Sequence, residues 1–535
     1  MAASRDVLVI GAGHNALVCA YYLARAGRRV LVIERQPFAG GCAVTGEFAP
    51  GFRCSTLAHT AGPMRADIAR EMRLDRHGLQ WLEPDPRLFA PLPDGRGILL
   101  FNDHTASAQS IAKISPRDAD AYPAFAATLA KLGGVIAHLL SITPPEIDSP
   151  TNADLWELLK TGRQFRALGR KDMFRLLRWG PMAVADLVAE CFESEFLRAV
   201  VAARGICGAN LGPWSAGSGT LMLLRAAADP HPAGPSQVPR GGMGALAQAL
   251  AAAATAAGAE IRTGSEVAQI RIKNEGVTGV LLSNGEDLDA RAVISGADPK
   301  RTFLKLLDPV HLAPGFVEKM QHYRCKGVTA KVNIALDGLP VFTALPFTAG
   351  QGAAGGTAAA LAGRIHIGPE IDYLERAFDH SKYGEFSRRP YLDVAIPTIA
   401  DPALAPAGKH VMSVTMQFAP HRLRAGAWPA HREALLQAVL DTLEEYAPDL
   451  PARVLHTQVI TPADLENEYG LTGGHIFHGE LALDQLFTMR PVLGWARYAS
   501  PIRGLYLCGS GTHPGNGLTG ASGANAAREI LKTMK

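Results

Sequence analysis

The sequence predicts an α/β fold built on a parallel sheet, and three observations carry that prediction. Residues 6–10 (Asp-Val-Leu-Val-Ile) form a short β-branched run that suits a strand buried on both faces. Leu17, Ala20, Tyr21 and Ala24 then recur at helical spacing until Gly27 ends the pattern. Residues 29–33 make a second β-branched run, so strand, helix and strand follow closely on one another. A chain of 535 residues exceeds one ordinary core, and two or more domains are expected.

Between the first strand and its helix lies Gly11-x-Gly13-x-x-Ala16, with His14 and Asn15 opening the helix. Gly11 permits the tight turn, Gly13 lets the backbone approach a pyrophosphate, and Ala16 lets helix and strand pack closely. Amides at the helix start, with the helix dipole, then hold phosphate charge. Glu34 ends the second strand, 23 positions beyond Gly11, where a carboxylate accepts hydrogen bonds from ribose hydroxyls. The acid argues against a 2′-phosphate, an inference that the adjacent Arg35 blurs. The unit is a Rossmann-like dinucleotide site.

The next residues choose the dinucleotide. Gly40 and Gly41 follow shortly after the acidic residue and lead into Thr45-x-Glu47 and Pro50-Gly51-Phe52. This pair resembles the extended flavin fingerprint of the glutathione-reductase and amine-oxidase lineages, and a simple NAD dehydrogenase would proceed to its next strand instead. Residues 240–246 open an Ala-rich helix, 267–270 and 276–282 read as paired strands, and 292–295 as a further strand. Val267 resembles the position at which such flavoproteins bind adenine through the backbone. Near the C-terminus a short strand ends in Gly509-Ser510, and a helix is expected from about Leu518-Thr519, its amides facing the reduced flavin ring. Many related flavoproteins carry Asp where Ser510 stands, so ribitol contact there falls to a hydroxyl or the backbone. The cofactor expected is FAD. A second glycine-rich match, residues 350–355 with Glu370 after it, lacks a credible strand and crossover helix and reads as a loop.

The totals exclude other classes. Apolar residues at 47% and charged ones at 19% describe a folded protein. A net charge of +3 gives no sign of nucleic-acid binding, and no dense basic block suggests a polybasic membrane contact. The seven cysteines include no C-x-x-C pair, so a redox dithiol is not expected, and reduced thiols suit a cytoplasmic protein. Residues 7–24 lack charge, but the Gly-Ala-Gly-His-Asn turn interrupts them. Neither a membrane span nor a targeting peptide is therefore expected.

These motifs together resemble the phytoene-desaturase-related flavoproteins, and most closely the group called pyridine nucleotide-disulfide oxidoreductase domain-containing protein 2. The resemblance rests on residues 396–406 (Ile-Pro-Thr-x-x-Asp-Pro-x-Leu-Ala-Pro), 473–480, 483–487 and 505–511. It implies an FAD domain assembled from residues 1–75, 236–300 and 455–535. A mixed α+β substrate domain would be inserted as residues 76–235 and 301–454.

For chemistry, His475, His478 and Glu480 crowd one glycine-rich segment, Arg490 precedes a proline, and His59 reaches the flavin face by analogy with the fold. Proton relay or substrate orientation is one reading of the histidine segment, and loop capping the other. Arg490 holds either an anionic substrate, the Glu480 carboxylate or an ordinary ion pair. Two histidines without a third ligand do not make a metal site, and none is expected. The activity expected is FAD-dependent removal of hydride from an apolar small molecule, with oxygen, a quinone or a protein as electron acceptor. The alternatives are a carotenoid or polyene desaturase or isomerase, and a non-catalytic flavin-binding protein acting through protein partners. The desaturase needs a membrane-docking face, and no amphipathic basic helix is evident to supply one. Peripheral membrane contact is compatible with these features.

Overall fold

Three distant stretches of chain supply one sheet. In the computed structural model, which describes residues 5–60, 62, 64–345 and 356–534, Arg5–Ile10 lies parallel between Val30–Ile33 and Asp287–Ser295. Glu260–Arg262 extends the sheet beyond Val30–Ile33, and Leu505–Leu507 pairs with the outer side of Asp287–Ser295. The β-branched residues explain the placement, because Val7, Leu8 and Val9 are fully buried with apolar layers on both faces. Leu17 and Leu23 of helix His14–Arg25 pack with Leu246 and Leu250 of Met243–Ala256 and with Ile530 of Ala521–Thr533. On the opposite face, Leu8 and Ile33 meet Phe303, Phe316 and Met320. Asp287–Ser295 does two jobs, since its first residues join the antiparallel hairpin of Val267–Lys273 and Gly276–Leu282.

The second sheet is mixed, in the order Val454–Ile460, Thr329–Leu336, His410–Gln417, Leu392–Ala395, Arg364–Ile367, Leu88–Pro91 and Gly97–Leu100. By strand pairing, Val454–Ile460 belongs here, so the chain returns to the first sheet after residue 460 rather than at 455. Thr329–Leu336 is buried along its whole length. Ala330, Val332, Ile334 and Leu336 enter the core, whereas Thr329, Lys331 and Asn333 alternate with them on the opposite face, where Lys331 meets His59 and Asn333 meets Cys54.

Helices between residues 104 and 228 form a third layer. Pro116–Ser141 is long and apolar enough to cross a membrane by length and composition. Its Tyr122, Phe125, Leu129 and Leu132 are instead part of the protein core. Asn152–Ala167 and Gly169–Trp179 overturn one expectation: they are amphipathic, rich in Lys and Arg, and lie at the surface with a single buried residue each. Their apolar and basic positions alternate too finely to stand out as a charge block in the sequence. The glycine-rich match at 350–355 lies outside the described residues.

Candidate flavin and substrate site

A cavity of about 350 Å³ opens at the carboxyl ends of the first sheet's strands and runs to the second sheet. The nucleotide end is built by backbone. Helix His14–Arg25 starts at Gly13 with no side-chain cap and no acidic residue in its first turn, leaving its amides to the cavity. A Cβ on Gly11 or Gly13 would meet no protein atom within 4 Å, so the empty space they border is the cavity itself. Gly40 has φ +131° and pairs with Gly13 in an isolated bridge, while a Cβ there would stand 2.8 Å from that of Ala247. Gly41 is equally close-set, its Cβ falling 3.3 Å from Cα of Gly13.

Glu34 lies beside this turn, 6% exposed, and its two oxygens accept the amides of Ala12 at 2.7 Å and Gln36 at 2.9 Å. The carboxylate thus holds the glycine turn as well as facing the cavity. Arg35 also lines the cavity, but its guanidinium donates to the Glu468 carbonyl. His14, Asn15, Ala16, Val267, Gly509, Ser510 and Leu518 complete the expected lining, and Thr519 faces an adjoining chamber instead. Asn15 Nδ2 donates to Ser510 Oγ at 3.0 Å, which orients the hydroxyl that stands in place of an acid. The last helix begins at Ala521, not Leu518, because Gly515, Gly517 and Gly520 all hold positive φ and keep the chain in a loop. Residues 517 and 518 of that loop, rather than the helix's first turn, line the cavity.

The five residues proposed for chemistry separate. His59 and His478 line the cavity, whereas His475, Glu480 and Arg490 line neither it nor the chamber. Arg490 is fully buried and donates to six backbone carbonyls, among them those of Ser510 at 2.6 Å and Phe477 at 2.8 Å. It clamps the histidine segment to the flavin turn and pairs with no carboxylate among the described residues. Glu480 bonds Arg324 at 2.9 Å, and His475 Nδ1 accepts the Phe477 amide at 3.2 Å. These three shape their loop. His478 adopts φ +58°, a costly geometry for a histidine, and its Nδ1 is buried without a partner. Burial, with the Arg490 charge, pushes its pKa down to about 4, so the ring is neutral at pH 7.

The second sheet contributes groups that no motif announced. Lys331 is fully buried, and its Nζ lies 3.1 Å from His59 Nδ1. An ammonium can only donate, so Nδ1 accepts and the His59 proton sits on Nε2, which lies 3.4 Å from Asp393. Arg364 bonds the same carboxylate at 2.9 Å. Burial works to raise the Asp393 pKa, but Arg364 and His59 outweigh it and hold the group ionised. Burial also lowers Lys331 to about 8 and, with the Lys331 charge, His59 to about 4. The alternation of Lys331 and Asn333 with apolar residues was the one visible signal, since it puts a lysine on a strand buried throughout.

Beyond this chain lies the adjoining chamber, about 140 Å³, which shares Arg225, Asp393, Phe477 and Leu518 with the larger cavity. Leu88, Val200, Leu221, Leu224 and Leu481 give it apolar walls. Arg225 stands 5.6 Å from the centre of the Phe477 ring, and its buried Nε has no hydrogen-bond partner. Cys19 and Cys508, distant in sequence, hydrogen-bond within the first sheet's layer. Both are fully buried, and the bond and burial raise the Cys19 pKa well above the usual thiol range, so Cys19 is not a reactive thiolate.

With this geometry in place, the chain matches the family described as flavin containing amine oxidoreductase across residues 17–531. It belongs to that family. Among its relatives, the rat protein named pyridine nucleotide-disulfide oxidoreductase domain-containing protein 2 is 37% identical, over 99% of this chain and 94% of its own length. A limonene dehydrogenase subunit of Castellaniella defragrans is 26% identical over 99% and 95%. An oxidoreductase from Methanosarcina mazei shares the fold, with a TM-score of 0.61 at 18% identity, over 98% of this chain and all of that one. As a flavin amine oxidoreductase the protein uses FAD, and the uncapped helix start, the glycine-bordered space and the Glu34 carboxylate fit that cofactor's diphosphate and ribose.

Proposed function

We propose that this flavoprotein oxidises a small, largely apolar molecule by withdrawing hydride, and passes the electrons to oxygen, a quinone or a protein. The observation that carries the proposal is the continuity of the two cavities. An apolar-walled chamber opens on the flavin end and shares Asp393, Arg225 and Phe477 with it. The name of the Castellaniella relative, a limonene dehydrogenase, supports an apolar donor.

FAD, when bound, supplies the two-electron acceptor. The chain's own residues do the rest. The chamber walls exclude water and hold the donor's apolar body, and the Arg225 guanidinium at the junction of the two cavities suits a polar group on it. Loss of hydride from a C–H bond leaves a proton to be removed, and Asp393, which lines both cavities, brings the Asp393–His59–Lys331 network to that junction. Lys331 lines neither cavity, so it acts through His59, whose Nδ1 it meets at 3.1 Å, near the pH at which it titrates.

An anaerobic donor screen tests the reading. Holoprotein mixed with terpenoid, polyene and amine donors should bleach in the flavin band with at least one apolar donor and recover its colour on adding oxygen or a quinone. Flavin that stays oxidised throughout, or that only hydrophilic amines reduce, would overturn it.

A further inference from the structure

Helices Asn152–Ala167 and Gly169–Trp179 form a surface hairpin that leaves its apolar side chains in water. Leu155, Trp156, Leu158 and Leu159 are 47, 53, 44 and 59% exposed, and Phe174 and Leu177 are 55 and 58% exposed. Leu155, Leu158 and Leu159 share one face by i, i+3, i+4 spacing, and Arg163 and Arg166 continue it. Arg170, Phe174, Leu177 and Arg178 align in the same way on the second helix. A helix in water is ordinarily held by burying its apolar stripe, so this hairpin presents a stripe whose cover lies outside the described chain. Its inner side is anchored, with Arg497 on Asp154 at 3.1 Å and Lys131 on Asp172 at 2.6 Å.

Charge selects the occupant. Residues 152–178 hold seven Lys and Arg against three acidic residues, although the whole chain nets only +3. Lys160, Arg175 and Arg178 pair with carboxylates, whereas Arg163, Arg166, Arg170 and Lys171 make no ion pair among the described residues. Apolar side chains interleaved with unpaired cations suit a surface that offers hydrocarbon just beneath dense negative charge. We propose that this hairpin docks the protein on membranes containing anionic lipids, with Trp156, Leu159 and Phe174 inserted at the interface and the arginines on lipid phosphates.

Position gives the contact a use. The preceding helix, Pro116–Ser141, brings Ile136 and Leu140 against Leu221 and Leu224. Those two leucines line the substrate chamber, so one helix connects the docking hairpin with the wall of the chamber. The surface itself is independent of any assignment of substrate or flavin chemistry.

Flotation of the holoprotein with lipid vesicles tests the proposal. Partition should rise at least about tenfold when phosphatidylserine replaces roughly a third of the phosphatidylcholine, and fall steeply as salt approaches about 1 M. The Trp156→Ser/Leu159→Ser/Phe174→Ser variant should lose partition at all salt concentrations. Arg163→Glu/Arg166→Glu/Arg170→Glu should lose the preference for anionic lipid, both variants keeping their flavin absorbance and melting temperature. Because the salt and lipid dependence of the unaltered protein is decisive alone, misfolding of a variant leaves the test intact. Holoprotein that stays unbound with anionic vesicles overturns the proposal. So does a dimer that the serine substitutions disperse without any vesicle binding.

Discussion

The two ends of the long cavity are built on different plans. At the nucleotide end the chain offers backbone, in the form of a bare helix start, glycines that leave room, and one carboxylate. At the substrate end it offers side chains, His59, Asp393, Arg364 and Arg225, with Lys331 buried against His59, drawn from three strands, one helix and a loop. The first end is sensitive to added atoms and the second to removed ones. That contrast can be attacked directly.

The largest effect is expected where atoms are added to the cradle. Gly40→Val places a Cβ 2.8 Å from Ala247 at φ +131°, so the variant should purify without flavin, as read from its visible absorbance per mole of protein. Retention of normal flavin content would remove the argument for a backbone-built end. Next, Lys331→Met takes away a side chain on the other side. It should keep FAD yet lower the rate of flavin reduction by about 10²- to 10⁴-fold, the range of general acid–base catalysis. It should also abolish a rate limb near pH 8. The same substitution has a stability signature. Lys331 titrates lower in the folded protein, about 8, than its ordinary 10.5, so the unfolded chain binds more protons between those values. The unaltered protein should therefore gain stability relative to Lys331→Met as pH rises from 8 towards 10.5, and denaturant midpoints measured across that interval check it.

Smaller effects should follow from trimming the cradle's one carboxylate. Glu34→Ala removes two charge-assisted bonds to amides as well as the ribose contact, and FAD affinity should drop about 10- to 100-fold in titration of the apoprotein. The least effect is expected at Glu480. It lines neither cavity and is held by the partly exposed Arg324, so Glu480→Gln should change turnover less than about threefold and stability by about 1 kcal/mol or less. A large loss of turnover at Glu480 would put the chemistry back in the histidine segment.

The same contrast explains what the sequence could show. A backbone cradle needs particular residues at fixed short spacings, so Gly11, Gly13, Glu34, Gly40 and Gly41 could be read within one stretch. The substrate end is assembled by topology. Lys331 and Asp393 lie 62 positions apart and meet His59 only because their strands flank His410–Gln417 in the second sheet. Local crowding then misled, for His475, Glu480 and Arg490 cluster in sequence because one glycine-rich loop needs internal bonds. The basic hairpin was missed for a related reason, since exposure rather than composition distinguishes its leucines from core residues.

The strand Asp287–Ser295 bonds to residues 5–10 on one side and 505–507 on the other. During synthesis, the strand at residues 5–10 must therefore wait until residues 287–295 are made for one neighbour, and the sheet closes only when residues 505–507 arrive. Such long-range pairing slows folding and leaves open strand edges exposed meanwhile. Nascent chains should depend on chaperones accordingly, and early FAD binding cannot rescue them, because the cofactor's site is finished last.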